Sequence, residues 1–202
     1  MRFITTPRII RIFYPSLLWE MPKGKKKIYL TFDDGPHPTI TPQVLEILKK
    51  FDAKATFFCI GKNVETHKNI FEMILKDGHS IGGHTYNHDK GWNTNTKDYI
   101  DSVNRTQQLI ESDLFRPPHG RIKSSQIRKL RNNYRLIAWT VISYDWDKSL
   151  SPDDCYDNVI KNAGDGSIIV FHDSEKAVKN MIPALTKVLK YYSEKGFAFE
   201  KL

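Results

Sequence analysis

Two cysteines in 202 residues, in unlike settings, are too few to staple this chain. Cys59 lies inside the apolar run Ala55-Thr56-Phe57-Phe58-Cys59-Ile60 and Cys155 in an acidic, turn-like stretch, so no disulfide framework is expected and the redox compartment stays open. The chain also lacks a run of about 20 apolar residues that could cross a bilayer. Its first stretch, MRFITTPRIIRIFYPSLLWEMP, is interrupted by Arg8 and Arg11 and has no small-residue cleavage site, so a cleavable signal peptide is not expected. Arginine-rich arms, zinc-finger spacings and RNA-recognition signatures are missing, which argues against the common nucleic-acid modules. Repeats, low-complexity tracts and composition shifts are missing too, so a single domain is expected. Acidic residues are in deficit, 23 against 31 Lys and Arg, and the formal charge of +8 suits an anionic polymer or lipid surface.

What is present is a core: 40% of residues are hydrophobic and 12% aromatic, enough for one globular body. Residues 1–26 read as an N-terminal segment. Ile9, Ile10, Ile12, Phe13, Leu17, Leu18 and Trp19 are expected to pack on the body, with peripheral contact to a membrane surface as the alternative for so basic and aromatic a stretch. From residue 27 onward strands alternate with helices. Strands are expected in the alternating run of Ile28, Leu30 and Phe32 that ends at the Asp33-Asp34 pair, and at Ala55–Ile60, His79–Ile81, Phe115, Tyr134–Ile142, Ser167–Phe171 and Phe197–Lys201. Helices are expected from Thr41 to Lys50, through Ile70 to Leu75, and over Asp98–Ile110, Ser124–Leu130, Asp153–Asn162 and Ile182–Tyr192. About seven such units fit an irregular parallel β/α barrel better than a short open sheet.

The clearest local signal is Lys27-Ile28-Tyr29-Leu30-Thr31-Phe32-Asp33-Asp34-Gly35-Pro36. Ile28, Leu30 and Phe32 alternate with polar or amphipathic neighbours, as a strand's residues do, and Gly35-Pro36 stops the pattern. Two acids at a strand's C-terminal end stand where α/β folds build active sites. Adjacent side chains diverge, so one acid can hold a cation while the other moves a proton. A surface Asp-Asp-Gly turn fits the same residues on local sequence alone.

A second signal, Ser80-Ile81-Gly82-Gly83-His84-Thr85-Tyr86-Asn87-His88, sets two imidazoles four residues apart. On one helical turn that spacing puts both on one face, able to grip one cation, with a carboxylate as a natural third ligand. Such a set leaves coordination positions open for water and substrate. An isolated His-x3-His pair also fits a polar loop.

With Arg116-Pro117-Pro118-His119-Gly120, Asp145-Trp146 and Ile169-Val170-Phe171-His172 these segments form an ordered series. In that series the chain resembles the metal-dependent polysaccharide deacetylases of carbohydrate esterase family four, the NodB-type domain, from about Ile28 to Leu202. The resemblance implies an α/β fold of one domain, a distorted (β/α)7-type barrel, with 27–202 as the catalytic domain. It implies removal of acetyl groups from N-acetylated sugars, and a divalent metal held by Asp34, His84 and His88, with zinc first and Co2+, Ni2+ or Mn2+ as alternatives. Carried over by position, Asp33 is the general base and Arg116 holds it ionised and oriented. The backbone N–H of His119 faces the developing oxyanion, and His172 protonates the departing amine. Trp146 and Ile169 are expected to wall an acetyl pocket. The side chains of His37, His67, His79 and His119 receive no chemical role.

Three positions depart from the family pattern. An aspartate that usually serves the catalytic histidine is replaced by Ile142, which cannot accept a hydrogen bond, so Asp145 or a backbone carbonyl is expected to serve His172 instead. His119 stands where tyrosine is usual, and Gly83 where asparagine is common. The expected function is hydrolysis of the acetamido group of N-acetylglucosamine units in peptidoglycan or a chitin-like oligomer, with a glycan and no nucleic acid as partner. Two alternatives stay open: a catalytically silent carbohydrate-binding relative, which Ile142 favours, and an amidohydrolase of small N-acyl compounds. A wall substrate suggests the cell envelope, but no cleavable leader is evident in this sequence, so the compartment, the cytoplasm included, stays open.

Overall fold

The fold is described from a computed structural model that covers residues 2–202. In chain order its elements are α1 (Arg8–Phe13), β1 (Leu17–Leu18), β2 (Lys27–Asp33), α2 (Ile40–Lys50), β3 (Ala55–Cys59), α3 (Gly61–Thr66), α4 (Lys68–Lys76), β4 (Ser80–Gly83) and α5 (Thr96–Ile110). There follow β5 (Leu114–Phe115), α6 (Ser124–Leu130), β6 (Arg135–Ile137), β7 (Val141–Ile142), α7 (Pro152–Ile160), β8 (Ile168–His172), α8 (Val178–Glu194) and β9 (Ala198–Phe199). The strands form one parallel sheet in the order β1-β6-β5-β4-β3-β2-β8-β7, with β9 paired to β2. The sheet curls into an irregular barrel with helices outside it, a single domain of (β/α)7 type.

Strand β2 is the axis of this arrangement, flanked by β3 and β8. Its period of two sorts residues between two interiors. Ile28, Leu30 and Phe32 join Ala55, Phe57, Ile169 and Phe171 in the core between sheet and helices. The Phe32 ring stacks on Phe57 at 5.0 Å and on Phe171 at 6.2 Å. Facing the other way, Tyr29 joins Phe58, Leu114, Ile137 and Ile168 in a plug that fills the barrel's lower level. Thr31 and Asp33, of the same parity as Tyr29, rise above that plug towards the C-terminal ends of the strands. Register places Asp33 opposite His172 on β8 and Phe58 on β3.

The single strand expected at Tyr134–Ile142 is instead two, broken at Ala138–Thr140. Its lower half pairs with β5 and β1, and its upper half with β8, on the opposite end of the sheet path. A straight strand cannot serve both neighbours once the sheet curls, so the chain bends. The bend is bonded on both sides: Ala138 N–H donates to Leu18 O at 2.8 Å and Thr140 N–H to Ile168 O at 2.9 Å. The N-terminal segment covers the edges left over, β1 lying beside β6 while Thr5 forms an antiparallel bridge to Val141.

Other differences from the sequence expectation are local. An additional helix, α3, precedes α4, and α8 begins at Val178 with Pro183 inside it rather than at Ile182. The His84–His88 segment is a loop, not a helical turn. Of the apolar N-terminal residues, Leu17 is buried and Leu18 and Trp19 pack against the core, whereas Ile9, Ile12 and Phe13 are exposed and do not pack on the body, and Ile10, exposed as well, lines the cleft.

Phe171 carries the packing between β8 and β2. Phe171→Ala is expected to cost about 3–5 kcal/mol, through lost transfer energy and the cavity left behind, as a lower urea midpoint with unchanged slope.

Candidate active site

The two acids at the end of β2 diverge because the backbone turns between them. Asp33 completes the strand, whereas Asp34 has φ 81°, outside the range ordinary residues adopt readily. Gly35 follows where a Cβ would come within 2.1 Å of Asp173 Oδ2, so the turn admits no side chain at that position. Asn63 Nδ2 donates to Asp34 O at 2.8 Å and holds the turn from α3.

Asp33 is buried and bonded to Arg116, whose Nη1 donates to Asp33 Oδ1 at 2.7 Å. The guanidinium is fully buried as well. It donates also to Thr31 Oγ1 at 2.7 Å and to Ala138 O at 2.9 Å, and lies 4.1 Å from the Phe58 ring centre. Thr31 and Asp33 share one face of β2, so a single side chain reads both.

His84 and His88 come together through a loop in which Thr85 and His88 are left-handed, with φ 60° at each. The loop is pinned from outside: Gly61 N–H donates to Thr85 O at 3.0 Å and Tyr86 N–H to Ser102 Oγ at 2.9 Å. His84 Nδ1 is 2.8 Å from Arg116 O. A carbonyl can only accept, so Nδ1 carries the proton and the Nε2 lone pair points at the carboxylates. That Nε2 lies 3.9 Å from Asp34 Oδ1, and His88 Nε2 lies 3.3 Å from the same oxygen.

One donor atom from each of Asp34, His84 and His88 lies within 4.8 Å of the others, a spread that one cation can fill. The protonation states fit such a cation. Burial lowers the pKa of His84, with Asp33 and Asp34 opposing, and burial with the neighbouring His84 brings His88 to about 4. Both imidazoles are neutral at pH 7. Burial pushes the Asp34 carboxyl up, but the histidines and Lys176 around it prevail and hold it at about 2. The set is thus two neutral nitrogens and one carboxylate, a borderline-soft donor group that suits zinc and its first-row neighbours.

Across the site stands His172, at the end of β8. Its Nδ1 is 2.8 Å from Asp145 Oδ1, and its backbone N–H donates to Asp145 Oδ2 at 2.7 Å. Of the two partners expected for His172, the Asp145 side chain is the one in place. Tyr144, left-handed at φ 61°, turns the chain after β7 so that Asp145 falls over β8. Burial depresses the His172 pKa, but the Asp145 carboxylate more than offsets this and raises it to about 9.

These groups open into one cleft of about 820 Å³, also lined by Trp19, Trp92, Trp139, Ile142, Tyr144 and Trp146. Trp146 stands against His172, ring centres 4.7 Å apart. Ile169 is a correction. It shares the parity of Phe171, not of His172, so its side chain joins the core behind the sheet and does not reach the cleft. Ile142 and Tyr144 line the cleft where Ile169 was expected to.

Sequence reasoning missed three neighbours. The His119 side chain, given no role, lines the cleft with its ring 4.7 Å from that of His88. Lys176, without any motif signal, sets Nζ 3.4 Å from Asp34 Oδ2. Asp173, the residue after β8, is fully buried and accepts from Thr41 Oγ1 at 2.5 Å. Parity along β8 was the one signal that could have excluded Ile169. Nothing local marks Lys176 or Asp173.

The polysaccharide deacetylase family model matches residues 20–136. A peptidoglycan-N-acetylglucosamine deacetylase of Bacillus cereus is 34% identical over 189 residues, covering 90% of this chain and 68% of its own. A chitooligosaccharide deacetylase of Azorhizobium caulinodans is 32% identical over 200 residues, covering 89% and 94%. Among solved structures, a peptidoglycan N-acetylglucosamine deacetylase in complex with 4-naphthalen-1-yl-N-oxidanyl-benzamide shares the fold with a TM-score of 0.90 at 32% identity, covering 98% of this chain and 95% of that one.

The Asp145–His172 pair is open to direct titration in the metal-free protein. By imidazole NMR His172 is expected to stay protonated through neutral pH and to lose its proton near pH 9. In Asp145→Asn the carboxylate that raises this pKa is gone, so the transition moves to lower pH. An unmoved transition excludes the pairing.

Proposed function

The chain belongs to the polysaccharide deacetylase family, and on that premise we propose that it hydrolyses the N-acetyl group of N-acetylglucosamine units in a glycan, peptidoglycan or a chitin-like oligomer. The reading is carried by one observation: a possible metal set, a carboxylate held by a buried arginine and a carboxylate-paired histidine converge in one cleft.

Asp34, His84 and His88 hold the metal, zinc in the first instance. When bound, such an ion polarises the amide carbonyl and lowers the pKa of water near it. The remaining work falls to the chain. Asp33, fixed by Arg116, takes the proton of the attacking water. The backbone N–H of His119 faces the oxyanion as the carbonyl carbon becomes tetrahedral, where a preorganised donor is strongest. An amine leaves poorly unless protonated, and His172, kept cationic by Asp145, supplies that proton. Trp146, Tyr144 and Ile142 make the apolar wall on the acetyl side.

The silent-relative alternative drew its support from Ile142, and the carboxylate of Asp145 beside His172 weighs against it. A tryptophan-lined cleft weighs against small N-acyl compounds, since flat aromatic faces suit the apolar faces of successive sugar rings.

Acetate release from N-acetylglucosamine oligomers and peptidoglycan, with metal content measured on the same samples, tests the proposal. Asp33→Asn is expected to keep its metal and lose about 10²–10⁴-fold in kcat. Asp34→Ala and His84→Ala are expected to lose metal and activity together. A metal-loaded protein that releases no acetate from any of these glycans would refute the deacetylase reading. In Asp145→Asn the alkaline limb of the rate profile should move to lower pH, because the proton donor is lost sooner.

A further inference from the structure

The exposed apolar surface is concentrated at one place that the deacetylase reading does not use. Among the described residues nine large apolar side chains are exposed, and five of them, Phe3, Ile9, Ile10, Ile12 and Phe13, fall in the eleven-residue stretch 3–13; the others are scattered. Helix α1 has no buried residue. One side of it is nevertheless fastened to the body. Arg11 bonds Glu20 at 3.2 Å with its guanidinium 6.0 Å from the Trp19 ring centre, and Ile10 lines the cleft. Ile9, Ile12 and Phe13, at i, i+3 and i+4, share the other side and are 61%, 70% and 73% exposed. A rigid mount thus presents three large apolar groups to the outside.

We propose that this outer face of α1 is a docking surface for an anionic phospholipid bilayer. Charge selects that occupant over a second copy of the chain. Arg8 flanks the apolar face, is exposed, and has no carboxylate partner among the described residues. Glu20, the carboxylate bonded to α1, is already committed to Arg11. Two copies meeting here would oppose Arg8 to Arg8 within bodies of formal charge +8, whereas anionic headgroups complement both. Apolar side chains with a basic flank on a helix too short to span are what an interfacial anchor requires, and no helix among the described residues is long and apolar enough to cross a membrane.

Docking also bears on the site. Phe3, Thr6, Pro7, Ile10, Tyr14 and Trp19 line the cleft, so the segment that meets lipid on its outside forms a cleft wall on its inside. Resting on the deacetylase reading, this places the reaction on acetamido sugars held close to a membrane. The docking itself stands independently of that reading.

Co-sedimentation of the full chain with phosphatidylcholine vesicles, with and without phosphatidylglycerol, tests it. The wild type is expected to pellet with the anionic vesicles and to be released in part by salt. Ile9→Ser/Ile12→Ser/Phe13→Ser is expected to lower partition at least tenfold, and Arg8→Gln about fivefold on anionic vesicles only. Near-ultraviolet circular dichroism of the triple variant should match the wild type, since α1 buries nothing. A wild type that stays in the supernatant overturns the proposal, as does a triple variant that pellets undiminished. A wild-type dimer in sedimentation equilibrium that the triple variant dissolves assigns the face to a second copy and overturns it too.

Discussion

The site is organised around one buried side chain. Arg116 is fully enclosed, and its bonds reach Asp33 and Thr31 on β2 and Ala138 at the bend between β6 and β7, while its own carbonyl accepts from His84. Its N–H donates to Gly83 O at 3.0 Å, extending the β4–β5 ladder by one residue. One residue therefore ties together the acid, the first histidine's tautomer and the place where the barrel closes. Burying a guanidinium costs several kcal/mol in lost hydration, and the ion pair with Asp33 only partly offsets this. The position of Arg116 is thus better explained by what it orients than by what it adds to stability.

Around this centre the charges are arranged in opposition. The two neutral imidazoles and Asp34 face Asp33 on one side, and the carboxylate-paired His172 faces them on the other. Asp145 raises His172 while burial lowers His84 and His88, so histidines in one cleft hold different protonation states at the same pH. Different environments allow the same side chain to act as ligand or as proton donor. Backbone strain gathers here as well: of the eight non-glycine residues with positive φ among the described residues, Asp34, Thr85, His88, His119 and Tyr144 belong to the site. Each turns a side chain that regular structure would send elsewhere.

Closure of the barrel explains why the N-terminal segment is part of the molecule's working surface. Curling leaves edges at β6 and β7 that the helices do not cover, and residues near Thr5 and at Leu17–Leu18 occupy them. Fastening the backbone there brings Ile10, Tyr14 and Trp19 to the cleft. It also leaves Ile9, Ile12 and Phe13 pointing outward, because one face of so short a helix cannot bury both sides.

Much of this protein was legible along the chain. Period-two alternation located β2, β3 and β8; helical spacing located most of the helices; and short motifs in order named Asp33, Asp34, His84, His88, Arg116 and His172. Those features are local, set by residues within a few positions of one another. Alternation also held the answer on Ile169, whose parity with Phe171 sends it behind the sheet. What tertiary structure alone decided are meetings between distant segments. Of the two partners read for His172 along the chain, Asp145 is the one that reaches it, 27 residues on, because β7 pairs with β8 and Tyr144 is left-handed. Lys176 meets Asp34, and Asp173 meets Thr41, because β8 lies beside β2. The His84–His88 turn and the bend at Ala138–Thr140 likewise depend on sheet curvature and on hydrogen bonds from other elements, and no local pattern encodes these.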